Sequence, residues 1–74
     1  MKNILIVHFY ICDHEDNITE VATQEWTHEE LAEWVLNMNG EIKIRHFDKK
    51  HYGVTIYTYN DADTKQIKQE IQQL

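Results

Sequence analysis

The sequence contains little of what most catalytic and cofactor-binding motifs require: it has no serine, no proline, two glycines and one cysteine among its 74 residues. Without serine, a serine nucleophile is excluded. Gly40 and Gly53 are too few and too isolated to build a glycine-rich phosphate-binding loop. Cys12 has no second cysteine with which to form an intrachain disulfide, which is typical of a reducing compartment.

The sequence also lacks a long apolar run. The longest, from Ile4 to Ile11, contains His8 and is far shorter than a membrane-spanning segment, and it has no signal-peptide pattern. A hydrophobic content of 42% with eight aromatic residues is too high for a disordered acidic tail. We therefore expect a cytoplasmic protein with no membrane partner, folded as one small domain over residues 1–74.

The cysteine and the histidines do not match an established site. On an extended strand His8 and Cys12 share a face but lie about 13 Å apart, too far for a nucleophile and its base. Cys12, His14 and one of the three later histidines are conceivable zinc ligands, but the paired Cys-x-x-Cys or His-x-x-x-His spacing is missing. We therefore expect a protein that is not an enzyme and that has no metal and no cofactor.

Four segments have the alternating or β-branched pattern of strands. The first is apolar on both faces, which is typical of a central strand. The second is also compatible with a long loop. The last two are predicted to form a hairpin. These segments are residues 3–12, 18–23, 41–47 and 52–59.

Two segments have helical signals. Thr27 and Glu30 form a predicted capping box, and Trp26 with Leu31 forms the matching hydrophobic staple. A final helix begins at Asn60 or Asp61 and has a thin apolar stripe. The prediction is an α+β domain of order ββαββα, or βαββα without the second strand. We expect an antiparallel sheet packed against a central amphipathic helix and a C-terminal helix. The apolar positions of the central helix are Leu31, Trp34, Val35 and Met38, and Asn39 and Gly40 are predicted to end it. Those of the C-terminal helix are Ile67, Ile71 and Leu74.

The formal net charge of −6 is unevenly distributed. Residues 3–42 contain nine acids and no Lys or Arg, whereas residues 43–74 carry a net charge of +2. Unpaired carboxylates on one surface can stand in for phosphates and displace nucleic acid from a basic groove. An alternative is that they only keep the protein soluble. The candidate partner-binding residues are Asp13, Glu15, Asp16, Glu20, Glu25, Glu29, Glu30 and Glu33.

Our main hypothesis is therefore a small acidic inhibitor of a basic nucleic-acid-handling protein, acting as a DNA mimic of the phage or mobile-element type. An alternative is a single-stranded nucleic-acid-binding module, since aromatic rings with interleaved cations can stack bases. The acidic half of the chain opposes direct nucleic-acid binding. A third possibility is a homodimeric accessory protein. The alternative nucleic-acid face contains Lys43, Arg45, Phe47, Tyr57 and Tyr59.

Overall fold

Two ββα units follow one another along the chain. The computed structural model describes residues 3–74. The first unit contains β1 (Leu5–Cys12), β2 (Ile18–Trp26) and α1 (His28–Asn37), and the second contains β3 (Ile42–His46), β4 (His51–Tyr57) and α2 (Asp61–Gln72). The predicted α+β class, with four strands in one sheet and two helices, is confirmed.

The sheet has the order β2-β1-β4-β3 and is mixed, because the central strands β1 and β4 are parallel. The prediction of an antiparallel sheet was therefore wrong. Each hairpin is antiparallel, but α1, about 15 Å long, returns the chain along the sheet. Consequently β3 runs in the direction of β2, and β4 in that of β1. Alternation of side chains reports the faces of a strand and not its direction, so the sequence pattern did not reveal this pairing.

The hydrophobic core lies between one face of the sheet and the two helices. Phe9 is fully buried, and its ring makes edge contacts with Trp26 and Trp34 at centroid distances of 5.3 and 5.1 Å. The helices contribute Leu31 and Ile71 to this layer. The remaining fully buried members of the core cluster come from the two central strands and are Leu5, Val7, Val54 and Ile56.

The capping box at the start of α1 is confirmed. The backbone N–H of Glu30 donates to Oγ1 of Thr27 at 3.2 Å, and the backbone N–H of Thr27 donates to Oε1 of Glu30 at 3.0 Å. The helix ends at Asn37, before the predicted Asn39 and Gly40, because Met38 is already extended. Gly40 has a positive φ of 139° and lies in the connection to β3.

The turn between β3 and β4 is organised by one carboxylate. Oδ1 of Asp48 accepts hydrogen bonds from the backbone N–H groups of Lys50 and His51 at 2.9 and 3.0 Å. These bonds, chiefly that from Lys50, hold the pKa of Asp48 below its ordinary value of 3.8. The ionised side chain therefore stabilises the turn that sets the register of this hairpin.

We expect Asp48→Ala to lower the urea midpoint of unfolding at neutral pH, because two backbone donors lose their acceptor. The pKa of Asp48 is lower in the folded than in the unfolded chain, so its contribution is complete above pH 3.8 and is lost as the pH falls through the folded-state pKa. Midpoints of the variant and the wild type should therefore converge in strong acid.

Asp48→Asn is the matched control, since it keeps an acceptor oxygen at this position but does not titrate. Its midpoint should depend less on pH than that of the wild type. Equal midpoints for Asp48→Ala and the wild type at neutral pH would contradict the role assigned to this carboxylate.

Candidate functional site

One face of the sheet packs against the helices and the other does not. Because successive side chains alternate between faces, the strand residues that do not enter the core lie together on the second face. Within residues 3–74, no helix packs on this second face, which we call the open face. Its members are Ile6, His8, Tyr10, Cys12, Ile18, Glu20, Thr23, Glu25, Lys43, Arg45, Phe47, His51, Gly53, Thr55 and Tyr57.

The eight acidic residues predicted as a partner surface do not form one row. Glu20 and Glu25 lie on β2 and project to the open face. The three glutamates of α1, Glu29, Glu30 and Glu33, which we call the α1 acids, lie in the helical layer on the other side of the sheet. They are near the end of the sheet where β1 begins. The β1–β2 turn occupies the other end of the sheet and contains Asp13, Glu15 and Asp16, so three separate acidic groups result.

The carboxylates of the β1–β2 turn serve local structure. Oδ1 of Asp13 accepts from the backbone N–H groups of Glu15 and Asn17, each at 2.9 Å. The bond from Asn17 is the main cause that holds the pKa of Asp13 below its ordinary value. His14 lies 3.6 Å from Glu15 and 3.9 Å from Asp61. Asp13 and Glu15 therefore have roles within the turn that do not require a binding partner.

The α1 acids form the group that remains directed outward. Glu29 and Glu33 are one helical turn apart, on the side of α1 opposite the buried Leu31. Leu36 continues this exposed side and is 85% exposed. The side chain of Glu30 points to the flank, where it completes the capping box. An apolar side chain thus lies beside unpaired carboxylates.

A groove on the flank of α1 combines aromatic and acidic side chains. It has a volume of about 330 Å³ and is lined by Trp26, Glu30, Glu33, Trp34 and Asn37. The two indole rings have centroids 6.2 Å apart and are inclined by 48°. Tryptophan faces attract cations more strongly than other aromatic rings, and nearby carboxylates add to that attraction. The groove therefore suits a Lys or Arg side chain.

The sequence pattern indicates a staple residue at Trp26 and a core residue at Trp34, and it does not predict this groove. The signal was present in their spacing, because Trp26, Glu30 and Trp34 recur every four residues. Such spacing places them along one side of the chain entering the helix. Both tryptophans are half-buried, so each contributes to the core and also lines the groove.

Four of the five residues predicted for nucleic-acid binding lie together on the open face. Lys43, Arg45, Phe47 and Tyr57 share this face, but Tyr59 lies beyond β4, and its hydroxyl donates to Oε2 of Glu41 at 3.3 Å. A small depression of about 190 Å³ lies between Arg45 and the aromatic rings. It is lined by Tyr10, Ile18, Arg45, Phe47, Gly53, Thr55 and Tyr57.

Gly53 allows the aromatic rings to lie directly on the open face. A Cβ atom at this position would be 2.6 Å from Cζ of Phe47 and 3.4 Å from Cε2 of Tyr10. The missing side chain therefore lets the Phe47 ring approach the backbone of β4 closely. This close approach places the rings of Phe47 and Tyr10 near the centre of the open face.

Two histidines pair beside these aromatic rings. Nε2 of His8 lies 3.1 Å from Nδ1 of His51, and the rings are stacked at a centroid distance of 5.4 Å. Nδ1 of His8 is buried without a hydrogen bond, although it lies 3.6 Å from Oε1 of Glu20. Only the parallel pairing of β1 with β4 brings His51 next to His8, so the sequence pattern does not predict this contact.

The thiol and the other histidines are not assembled into a site. Cys12 is buried, with Sγ 4.0 Å from its neighbouring carbonyl, that of Asp13. In residues 3–74, no group of three or more His, Cys, Asp or Glu side chains is placed so as to hold a metal ion. Neither helix of this part of the chain is long and apolar enough to cross a membrane.

The chain matches no protein-family model, and it matches no curated protein and no solved structure.

Proposed function

We propose that this protein is a non-catalytic binding module that docks the exposed side of α1 on a basic protein. The observation that carries the proposal is the surface groove lined by Trp26 and Trp34 together with Glu30 and Glu33. This arrangement is the part of the molecule best suited to hold a cationic side chain.

The charge of α1 supports the proposal. The helix contains three glutamates and no Lys or Arg, so its own sequence supplies no strong cation to neutralise them. Within residues 3–74 no salt bridge joins a Lys or Arg to a carboxylate; the close pairs involve His8 and His14 only. Free carboxylates on a helix are available to steer a basic partner toward this surface.

The apolar atoms around these charges support binding beyond simple attraction. Tryptophan is among the residues that most often dominate binding energy at protein interfaces. Leu36, 85% exposed, adds an apolar contact on the same helix. Charged residues around an apolar centre are the usual arrangement of a protein interface.

The target class follows from the same chemistry. A protein whose Lys and Arg side chains bind phosphates would present to Glu29 and Glu33 the cations that they lack. Because Cβ atoms one helical turn apart are about 5–6 Å from each other, these two carboxylates form a short anionic row. In its specific form, the proposal is an inhibitor that competes with nucleic acid for a basic surface, in a protein encoded by a phage or mobile element.

Intrinsic fluorescence tests the groove directly, because Trp26 and Trp34 are the two tryptophans of the chain and both line it. We expect titration with a short arginine-rich peptide to change the emission, and we expect added salt to reverse this change. The double variant Glu29→Lys/Glu33→Lys should weaken peptide binding by about tenfold or more.

The matched control is Glu15→Lys/Glu41→Lys, which changes the net charge by the same amount in the β1–β2 turn and just before β3. Its affinity for the peptide should remain near that of the wild type. Equal losses in both double variants would show that net charge, and not the α1 surface, attracts the peptide. Unchanged emission in the wild type would exclude the groove.

A second experiment tests whether the protein is an inhibitor that competes with nucleic acid. Proteins that bind heparin are passed over the immobilised chain, and those released by salt are compared with those bound by Glu29→Lys/Glu33→Lys. A retained protein that requires these glutamates should lose its labelled DNA when the wild-type chain is added in a gel-shift assay. DNA that stays bound would contradict competition while leaving peptide binding by the groove intact.

A further inference from the structure

We propose that the open face binds the open face of a second copy of this chain, forming a symmetric dimer with its helices outside. This inference does not depend on the proposed function of α1, which lies on the other side of the sheet. It rests on the register of charges across the four strands.

The two edge strands have opposite charges on the open face. β2 contributes Glu20 and Glu25, and β3 contributes Lys43 and Arg45. Between them lie the half-buried side chains of the central strands, including Tyr10. The ring of Phe47, which follows β3, lies beside Gly53 of β4 and is 50% exposed. The face therefore has a largely aromatic centre, one acidic edge and one basic edge.

Glu20 and Lys43 also lie at the same position along the strand direction, in one row of paired residues across the sheet. Tyr10 pairs with Glu20 on one side and with Thr55 on the other, and Thr55 pairs with Lys43. One row across the sheet thus starts with a carboxylate and ends with an ammonium group. We call it the Tyr10 row; its members in order are Glu20, Tyr10, Thr55 and Lys43.

This register selects one symmetry. A twofold axis parallel to the strands, placed between two facing sheets, exchanges the edges and preserves the height of each residue. Glu20 of each copy then lies opposite Lys43 of the other. Arg45 lies opposite the part of β2 between Glu20 and Glu25. A twofold axis across the strands would instead superpose edges of like charge, which is unfavourable.

The size of the face is consistent with a weak dimer. With strands about 4.8 Å apart and a rise of about 3.3 Å per residue, four strands of the length of β1 cover roughly 500 Å² per copy. Specific interfaces bury about 800 Å² per partner, so this one lies at the lower end, and we expect a micromolar dissociation constant. Facing sheets pack about 10 Å apart, a gap that Lys and Glu side chains can span.

Sedimentation equilibrium of charge variants tests the dimer. The wild type should show a monomer–dimer equilibrium, and Lys43→Glu or Glu20→Lys alone should weaken it by about tenfold or more, because each reversal acts at both symmetric contacts. An equimolar mixture of the two single variants should restore dimers, since each contact then pairs Glu with Lys. The double variant Glu20→Lys/Lys43→Glu should also dimerise, with the net charge of the wild type.

Circular dichroism of each variant shows whether it is folded, which matters for Glu20→Lys because Glu20 lies 3.6 Å from His8. If that variant unfolds, the comparison of Lys43→Glu with the wild type and the salt dependence of wild-type association still decide the matter. A wild-type chain that remains monomeric at about 1 mM would overturn the proposal. Unchanged dimerisation of Lys43→Glu would overturn the proposed contact.

The same variants distinguish the dimer from nucleic-acid binding by Lys43, Arg45, Phe47 and Tyr57. A fluorescent mixed-sequence single-stranded oligonucleotide is titrated with each protein, and anisotropy is measured. No binding by the wild type supports self-association as the use of this face. A monomeric wild type that binds the oligonucleotide and loses it on Lys43→Glu would replace the dimer with the nucleic-acid interpretation.

Discussion

Phe9→Ala is expected to remove a large share of the protein's free energy of unfolding. The side chain is fully buried, and two tryptophan rings contact it at about 5 Å. Truncation of a buried phenylalanine costs about 3–5 kcal/mol. At about 0.05–0.15 kcal/mol per residue, a chain of 74 residues has a total stability of only about 4–11 kcal/mol.

Urea unfolding followed by circular dichroism measures this effect. Ile18→Ala is a suitable control, since it also shortens an apolar strand residue but at a position that is 63% exposed. Its free energy of unfolding should change by less than about 1 kcal/mol. A loss for Phe9→Ala as small as that of Ile18→Ala would show that the aromatic cluster is not the centre of the core.

The same residue connects the core with the proposed binding groove. Phe9 packs under both Trp26 and Trp34, so its ring holds the two walls of the groove in place. A less severe variant, Phe9→Leu, retains much of the apolar volume but not the edge contacts with the indole rings. Because the groove would be less well ordered, peptide-induced changes in tryptophan emission should be smaller in this variant even where it is folded.

Ile71→Ala is expected to release α2 from the sheet. Ile71 is 2% exposed and is the fully buried residue of that helix, whereas Ile67 is only half-buried. Replacing a buried isoleucine by alanine costs about 2–5 kcal/mol. Since the remaining apolar contacts of α2 are few, most of this cost should appear as local opening of the helix.

Hydrogen exchange followed residue by residue distinguishes local from global loss. In Ile71→Ala, protection should fall most in α2 and less in the central strand β1. Leu74→Ala provides the control, because Leu74 lies on the same stripe but is 48% exposed. Unchanged protection of α2 in Ile71→Ala would mean that its cap and its other contacts hold the helix.

The two proposals use opposite sides of the molecule and are compatible. Two copies joined through their open faces would carry their α1 grooves on the outside. A dimer of this kind can bind two sites of a basic partner at once, and the second contact benefits from a high effective concentration. The weakness expected of each separate interface is therefore no obstacle to tight binding of a repetitive or dimeric partner.

Local signals in the sequence determined much of the architecture. Thr27 and Glu30 specify the start of α1 through hydrogen bonds within four residues, so no distant contact was needed to predict them. The two-sided apolar pattern of the first strand indicated its central position, which the structure has. The uneven distribution of charge along the chain could also be counted from the sequence, since it depends only on which residues are present and in what order.

Only the tertiary structure decided which of these residues are neighbours in space. The parallel pairing of β1 with β4 places His51 beside His8 and aligns Glu20 with Lys43 across the sheet. The return of the chain along α1 separates the acids of the β1–β2 turn from those of the helix. Alternation and capping act between near neighbours, whereas strand direction and register depend on how distant segments pack. The charge of −6 could therefore be counted from the sequence, but its division into separate surfaces required the fold.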